Sequence, residues 1–73
     1  MSITAREREV LMLTSNGLSS KQIANQIYLS HYTVNDHLKN LKAKMHAANV
    51  AQLVRRGFES GILRVTHHQT AQS

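Results

Sequence analysis

Residues 19–45, with the sequence SSKQIANQIYLSHYTVNDHLKNLKAKM, predict two short helices joined by a tight apolar turn. In the second helix the apolar residues recur at i, i+4, i+7 and i+11, which places them on one narrow stripe. These residues are Val34, Leu38, Leu41 and Met45. The opposite face carries side chains that donate and accept hydrogen bonds, flanked by lysines: Tyr32, Asn35, Asp36, Lys39 and Asn40, then Lys42 and Lys44. Ordinary surface helices favour Glu and Lys pairs, so this free polar face indicates a helix-turn-helix that reads DNA.

Capping patterns define where the helices begin and end. Thr4 and Glu7 form a capping box, because the hydroxyl can accept from the N–H of residue 7 while the carboxylate reaches back to the N–H of residue 4. Gly17 can adopt the left-handed conformation that closes a helix. Either Ser19 or Ser20 caps the second helix. We predict an all-α fold with four helices, near residues 5–16, 20–27, 31–45 and 49–60.

The folded domain is predicted to span residues 1–63. Ser30 caps the third helix, and Leu29 fills the corner of the turn before it. Residues 64–73, RVTHHQTAQS, have little apolar surface to bury and are predicted to form a disordered tail.

The fourth helix carries more apolar surface than one core requires. Its apolar residues span roughly half of the circumference, which is wider than the stripe of about 100° that faces a single core. They are Val50, Ala51, Leu53, Val54, Phe58 and Ile62. This arc is either the core of a loosely packed domain or the surface on which a second copy docks, and we favour the second copy.

The balance of charge favours a polyanionic partner. Nine Lys and Arg against four Asp and Glu give a formal net charge of +5, and the isoelectric point is near 10.3. All four lysines lie within the predicted helix-turn-helix, where Asp36 is the only acid. A solvated basic surface is the alternative interpretation of such an excess. The absence of cysteine excludes disulfides and thiolate chemistry, and no run approaches the roughly 18 apolar residues of a membrane span.

Several motifs in register resemble the LuxR-type helix-turn-helix family, the module shared with GerE and the NarL-like response regulators. The resemblance covers about Ile3 to Phe58 and rests on four groups of matching residues. They are Arg6-Glu-x-Glu-Val-Leu11, Gly17-Leu18-Ser19 with Lys21-x-Ile23-Ala24, Leu29-Ser30, and Thr33-Val34-x-x-His37-Leu38 followed by Lys44. The resemblance implies a four-helix domain in which the third helix enters the major groove and the fourth pairs with its counterpart in a homodimer on double-stranded DNA.

Roles for individual residues follow from the polar face and from this resemblance. The residues predicted to contact bases are Tyr32, Asn35, Asp36 and Lys39. The residues predicted to contact the DNA backbone are Lys21, Ser30, Thr33, His37, Asn40 and Lys44. The predicted dimer interface comprises Val50, Ala51, Val54, Arg55 and Phe58. For Tyr32 the alternative is that it covers the turn, and for His37 that it is a partly buried structural residue.

Four positions depart from the family pattern. Asn35 stands where Lys is frequent, and Asp36 places an acid close to phosphates, although a carboxylate can accept from cytosine N4. Val50 replaces a common Arg, and His46 replaces a frequent Gly. Both bear on the link between the third and fourth helices.

Other classes of function have less support. No constellation of residues suits catalysis, none of the five histidines pairs at the i, i+4 spacing of a helical metal site, and we expect no cofactor. A rival is an interaction protein that heterodimerises with a related regulator through the fourth helix. RNA binding is weaker, because three aromatics form no stacking platform. We expect a bacterial transcription regulator of the cytoplasm and nucleoid, with RNA polymerase as a further partner, either stand-alone like GerE or a module of a longer protein.

Overall fold

The computed structural model describes residues 2–64, which form four helices and no strands. The helices are α1 (Ala5–Ser15), α2 (Ser20–Ile27), α3 (His31–Lys44) and α4 (Val50–Glu59). The predicted all-α class is confirmed, and each predicted helix end lies within one residue of the observed one. The predicted tail lies outside the described residues except for Arg64.

Side-chain caps begin all four helices. Thr4 Oγ1 accepts from the Glu7 N–H at 3.0 Å, and the Glu7 carboxylate accepts from the Thr4 N–H at 3.0 Å, so the predicted capping box is present. Ser19 rather than Ser20 caps α2, since its Oγ accepts from the backbone N–H of Gln22 at 3.2 Å. The remaining N-caps are Ser30 for α3 and Asn49 for α4.

A left-handed residue follows each of the four helices, and after α4 it is Gly61 with φ 84°. Gly17 has φ 91° after α1, as predicted, and the Leu18 N–H donates to the Leu13 carbonyl at 3.3 Å. Tyr28 after α2 and His46 after α3 adopt φ of 60° and 56° although neither is glycine. The left-handed region costs L-residues with a Cβ about 1–2 kcal/mol. A glycine at position 46, which the resemblance implied, would avoid this cost.

The core receives side chains from every helix. Its largest fully buried members are Val10, Leu11, Ile23, Val34, Leu41 and Leu53. The predicted inward stripe of α3 is confirmed for Val34, Leu38 and Leu41, whereas Met45 is only half-buried. Burying a side chain of this size contributes roughly 1.5–3 kcal/mol, so these residues supply most of the favourable free energy of folding.

Leu63 closes the core from beyond the end of α4, which the sequence patterns did not indicate. It is 5% exposed, and its backbone N–H donates to the Gly57 carbonyl at 2.9 Å. A Cβ at position 57 would lie 2.7 Å from Leu63 Cδ1 and 3.2 Å from Leu11 Cδ2. The absence of a side chain at Gly57 therefore lets the chain fold back against α4.

A buried ion pair links the first turn of α1 to the last turn of α3. Lys44 Nζ donates to Glu7 Oε1 at 2.7 Å and to the Ser2 carbonyl at 3.1 Å. The Glu7 side chain is 5% exposed and the Lys44 side chain is 31% exposed. Burial raises the pKa of Glu7. Hydrogen bonds from Lys44 and from the Thr4 N–H lower the pKa by more than burial raises it, so the pKa lies below its ordinary value of 4.5.

We expect Glu7 to make folding stability depend on pH. Because its pKa is lower in the folded chain than in the unfolded chain, ionised Glu7 stabilises the fold above the unfolded pKa, and this contribution is lost as the pH falls through the folded pKa. Glu7→Gln should lower the free energy of unfolding by about 1–3 kcal/mol at neutral pH and flatten its decline below about pH 4.5. Urea unfolding followed by circular dichroism between pH 2.5 and 7 measures both effects.

Glu9→Gln is the matched control, because Glu9 lies on the same helix in an exposed ion pair with Arg6 at 3.1 Å. This change should alter the free energy of unfolding by less than about 0.5 kcal/mol. If both variants showed the same pH dependence as the original chain, the Glu7 pair would not be the origin of acid sensitivity.

His46→Gly should stabilise the fold. Glycine removes the strain of the left-handed conformation at φ 56°, and its greater freedom in the unfolded chain offsets part of the gain, leaving about 0.5–1 kcal/mol. Thermal unfolding should show a midpoint several degrees higher. His46→Ala is the control, since alanine keeps the Cβ, and an equal rise for both variants would contradict the strain argument.

Candidate nucleic-acid interface

One face of α3 is exposed to solvent across most of its length. The stripe of Val34, Leu38 and Leu41 packs into the core. Opposite it lie six exposed residues that we call the polar face: Tyr32, Thr33, Asn35, Asp36, Lys39 and Asn40. All the residues predicted to contact bases therefore project from one side of one helix.

The turn before α3 fixes where this helix begins. Leu29 is half-buried against the core, as predicted for the corner of the turn. Ser30 Oγ accepts from the Thr33 N–H at 3.1 Å, and the two hydroxyls lie 3.0 Å apart. Tyr28 is 93% exposed on the outside of the turn. The polar face thus starts from a capped, packed helix end.

Tyr32 and His37 occupy different environments. The Tyr32 ring is 72% exposed and lies against the His31 ring, with a centroid distance of 4.1 Å. His37 is half-buried beside the polar face. The exposed Tyr32 hydroxyl is therefore accessible to a ligand, while His37 is only partly so.

The charged groups of the polar face lack intramolecular partners in the described part of the chain. The ion pairs among residues 2–64 are Arg6 with Glu9, Glu7 with Lys44, and Arg55 with Glu59. Neither Asp36 nor Lys39 belongs to this set, and the exposed Lys21 on α2 does not either. These three groups are free to meet an external polar partner.

Lys44 has a structural role that the sequence patterns did not predict. Its ammonium donates to Glu7 and to the Ser2 carbonyl, so two of its three protons are engaged within the chain. A phosphate contact would compete with a buried carboxylate for the same cation. Lys44 accordingly has a structural role, and a contact with the DNA backbone through its third proton stays a prediction. The sequence pattern placed it on the helix flank but gave no sign of its partner 37 positions earlier.

A hydrogen bond that the sequence patterns missed joins α2 to the polar face. The Ser20 hydroxyl donates to Asn35 Oδ1 at 2.6 Å. Ser20 is half-buried and Asn35 is exposed. The sequence patterns gave no sign of this contact.

The exposed side of α4 carries the apolar residues predicted to form a dimer interface. Val50 and Phe58 are 40% and 39% exposed, Ala51 is exposed and Val54 is half-buried. Arg55 is exposed and pairs with Glu59 at 3.1 Å. Two members of the predicted arc lie elsewhere: Leu53 is fully buried in the core, and Ile62 follows the end of the helix. Of the remaining arc, Val50, Ala51 and Phe58 are exposed, whereas Val54 packs partly against the core.

Metal and membrane sites find no support in the described residues. Between residues 2 and 64, no three His, Cys, Asp or Glu side chains are grouped closely enough to hold a metal ion. His67 and His68 lie outside this range. None of the four helices has the length and apolar character needed to cross a bilayer.

Comparisons with known proteins place this arrangement in context. The family described as bacterial regulatory proteins, luxR family (GerE) matches residues 1–56. The chain is 36% identical over 63 residues to the transcriptional activator protein ExaE of Pseudomonas putida, covering 86% of this chain and 29% of that protein. It is 38% identical over 65 residues to the monoamine regulon transcriptional regulator of Klebsiella aerogenes, covering 89% of this chain and 29% of that protein.

A solved structure shows the same fold. The response regulator ChrA of a heme-sensing two-component system superposes with a TM-score of 0.83 at 27% identity, over 86% of this chain and 31% of that chain. The chain therefore spans less than a third of the length of each of these proteins.

Proposed function

The chain belongs to the luxR family of bacterial regulatory proteins, a family of DNA-binding transcription regulators, and we propose on this premise that it binds double-stranded DNA in a sequence-specific manner with α3 in the major groove. The observation that carries the proposal is the polar face, whose charged groups have no ion-pair partner within residues 2–64. The major groove is about 12 Å wide and admits one α-helix, and the opposite side of α3 is anchored by the core.

Sequence recognition is assigned to Tyr32, Asn35, Asp36 and Lys39. Their side chains supply donors and acceptors for base edges: a lysine ammonium donates to guanine O6 or N7, and a carboxylate accepts from cytosine N4. Anchoring on the phosphates is assigned to the remaining predicted residues, with Lys44 acting through its third proton alone. The others are Lys21, Ser30, Thr33, His37 and Asn40, all on α2, on α3 or at the turn between them.

We propose that two copies bind a two-fold symmetric site and meet through α4. The support is the exposed Val50, Ala51 and Phe58, with the half-buried Val54 between them and Arg55 beside them. One short helix offers far less than the roughly 800 Å² per partner of a standard interface, so the free chain should be monomeric and pair on DNA. The same arc would serve a heterodimer with a related regulator, the alternative in which this chain modulates the DNA binding of its partner.

Base recognition by α3 can be tested after a preferred site has been selected from random DNA with the full chain. Lys39→Ala should weaken binding to that site by about 1–3 kcal/mol and weaken binding to random DNA much less, because a base contact is lost along with one cation. Arg8→Ala removes the same charge from the exposed side of α1 and serves as the control. Equal losses on both DNAs would show that Lys39 only neutralises phosphates.

Asp36→Ala separates two roles for the acid on the polar face. If Asp36 reads cytosine, its removal abolishes the preference at one base pair while affinity for random DNA rises. A carboxylate that merely repels phosphates would, on removal, tighten binding to every sequence alike. Competition against all single-base variants of the site distinguishes these outcomes. A chain that binds no DNA at all, yet associates with a related regulator, would favour the heterodimer alternative.

Dimer formation through α4 predicts a selective effect of charge. Val50→Glu should abolish cooperative binding to a palindromic site while leaving the helical spectrum intact, because residue 50 is exposed and an acid suits the first turn of a helix. Arg56→Gln changes the net charge equally on the other side of α4 and should bind as the original chain does. Sedimentation of the DNA complexes reports the stoichiometry, and cooperative binding by Val50→Glu would refute this interface.

A further inference from the structure

The hydrogen bond from Ser20 to Asn35 is, within residues 2–64, the only side-chain hydrogen bond that joins α2 to α3. It spans 15 positions of sequence and lies at the surface rather than in the core. Solvent competes for both groups at such a position, so the bond contributes little to folding stability. The bond instead orients one side chain of the polar face, that of Asn35.

The carboxamide of Asn35 has two chemically different ends. Its oxygen accepts hydrogen bonds and its nitrogen donates two, and a half-turn of the group exchanges them. In this structure the oxygen faces Ser20, the first residue of α2. The first turn of a helix carries a partial positive charge from its unpaired N–H groups, which favours the oxygen of the carboxamide over its nitrogen. The start of α2 and the Ser20 hydroxyl therefore favour the same orientation.

We propose, on the premise of the function proposed above, that Ser20 is a positioning residue that sets the base preference of Asn35. With its oxygen held by Ser20, Asn35 presents its amide nitrogen outward, and that nitrogen donates to no protein group within residues 2–64. An outward donor matches the acceptors that guanine, thymine and adenine place in the major groove. Cytosine offers only the N4 donor there, so Asn35 rejects cytosine at the base it faces.

The test measures base preference at one position with four variants of the full chain. Asn35→Ala first identifies the base pair whose preference depends on Asn35. At that pair, Ser20→Ala should reduce the penalty for cytosine roughly three- to tenfold, because the released carboxamide can turn its oxygen toward N4. Ser20→Thr keeps the hydroxyl and should restore the original preference. In the Asn35→Ala background, Ser20→Ala should have no further effect.

A second measurement needs no DNA. The side-chain amide of Asn35 gives its own NMR signals, and their order parameter should fall in Ser20→Ala and remain high in Ser20→Thr. Circular dichroism and thermal unfolding confirm that each variant is folded. An unchanged order parameter in Ser20→Ala would overturn the proposal, because the hydroxyl would then not hold the carboxamide.

The outcomes separate this inference from the function on which it rests. If Asn35→Ala alters one base preference but Ser20→Ala leaves it unchanged, the positioning role fails and base recognition by α3 stands. If Ser20→Ala weakens binding equally for all four bases, and does so in the Asn35→Ala background too, Ser20 contacts the DNA directly and the proposal is wrong. If Asn35→Ala changes no preference, recognition by Asn35 fails and the inference fails with it.

Discussion

The carboxylate of Glu7 holds together parts of the chain that no local pattern connects. It accepts from the Thr4 N–H at the start of α1 and from Lys44 at the end of α3, 37 positions away. Among residues 2–64 it is the one buried charged residue. A carboxylate out of water is costly unless it is hydrogen-bonded, and here the cap N–H and the ammonium both donate to its Oε1. The pair ties the far end of α3 to α1, so the direction in which α3 crosses the domain is fixed at the end opposite the turn.

That constraint shapes how the polar face can act. A helix held at its cap by Ser30, along its length by the core, and at its end by Lys44 presents its exposed side chains with little freedom of the backbone. Recognition sites on rigid elements lose less conformational entropy when they bind. The ion pair also divides the lysines into two groups: Lys44 stabilises the fold, whereas Lys21 and Lys39 remain exposed. Net charge alone would have counted them equally.

The features that sequence reasoning predicted well are those set within three or four residues. Capping boxes involve residues i and i+3, and the stripe of α3 follows from helical periodicity, so caps, helix bounds and buried residues were predicted closely. The features it missed depend on residues brought together by the fold. The partner of Lys44, the contact from Ser20 to Asn35 and the return of Leu63 onto Gly57 each need the packed arrangement of the helices. The roles of the polar face toward DNA and of α4 in pairing remain predictions.

The folded unit extends further along the chain than the family match does, because Leu63 belongs to the core. The family match ends at residue 56, before Gly57 and the segment that returns to cover it. A fragment cut at that boundary would uncover Leu11, which is fully buried in the whole domain beside Gly57, and would leave α4 without its last turn. The family match therefore ends before the folded unit does, and cooperative unfolding should involve the chain through residue 63 as one unit.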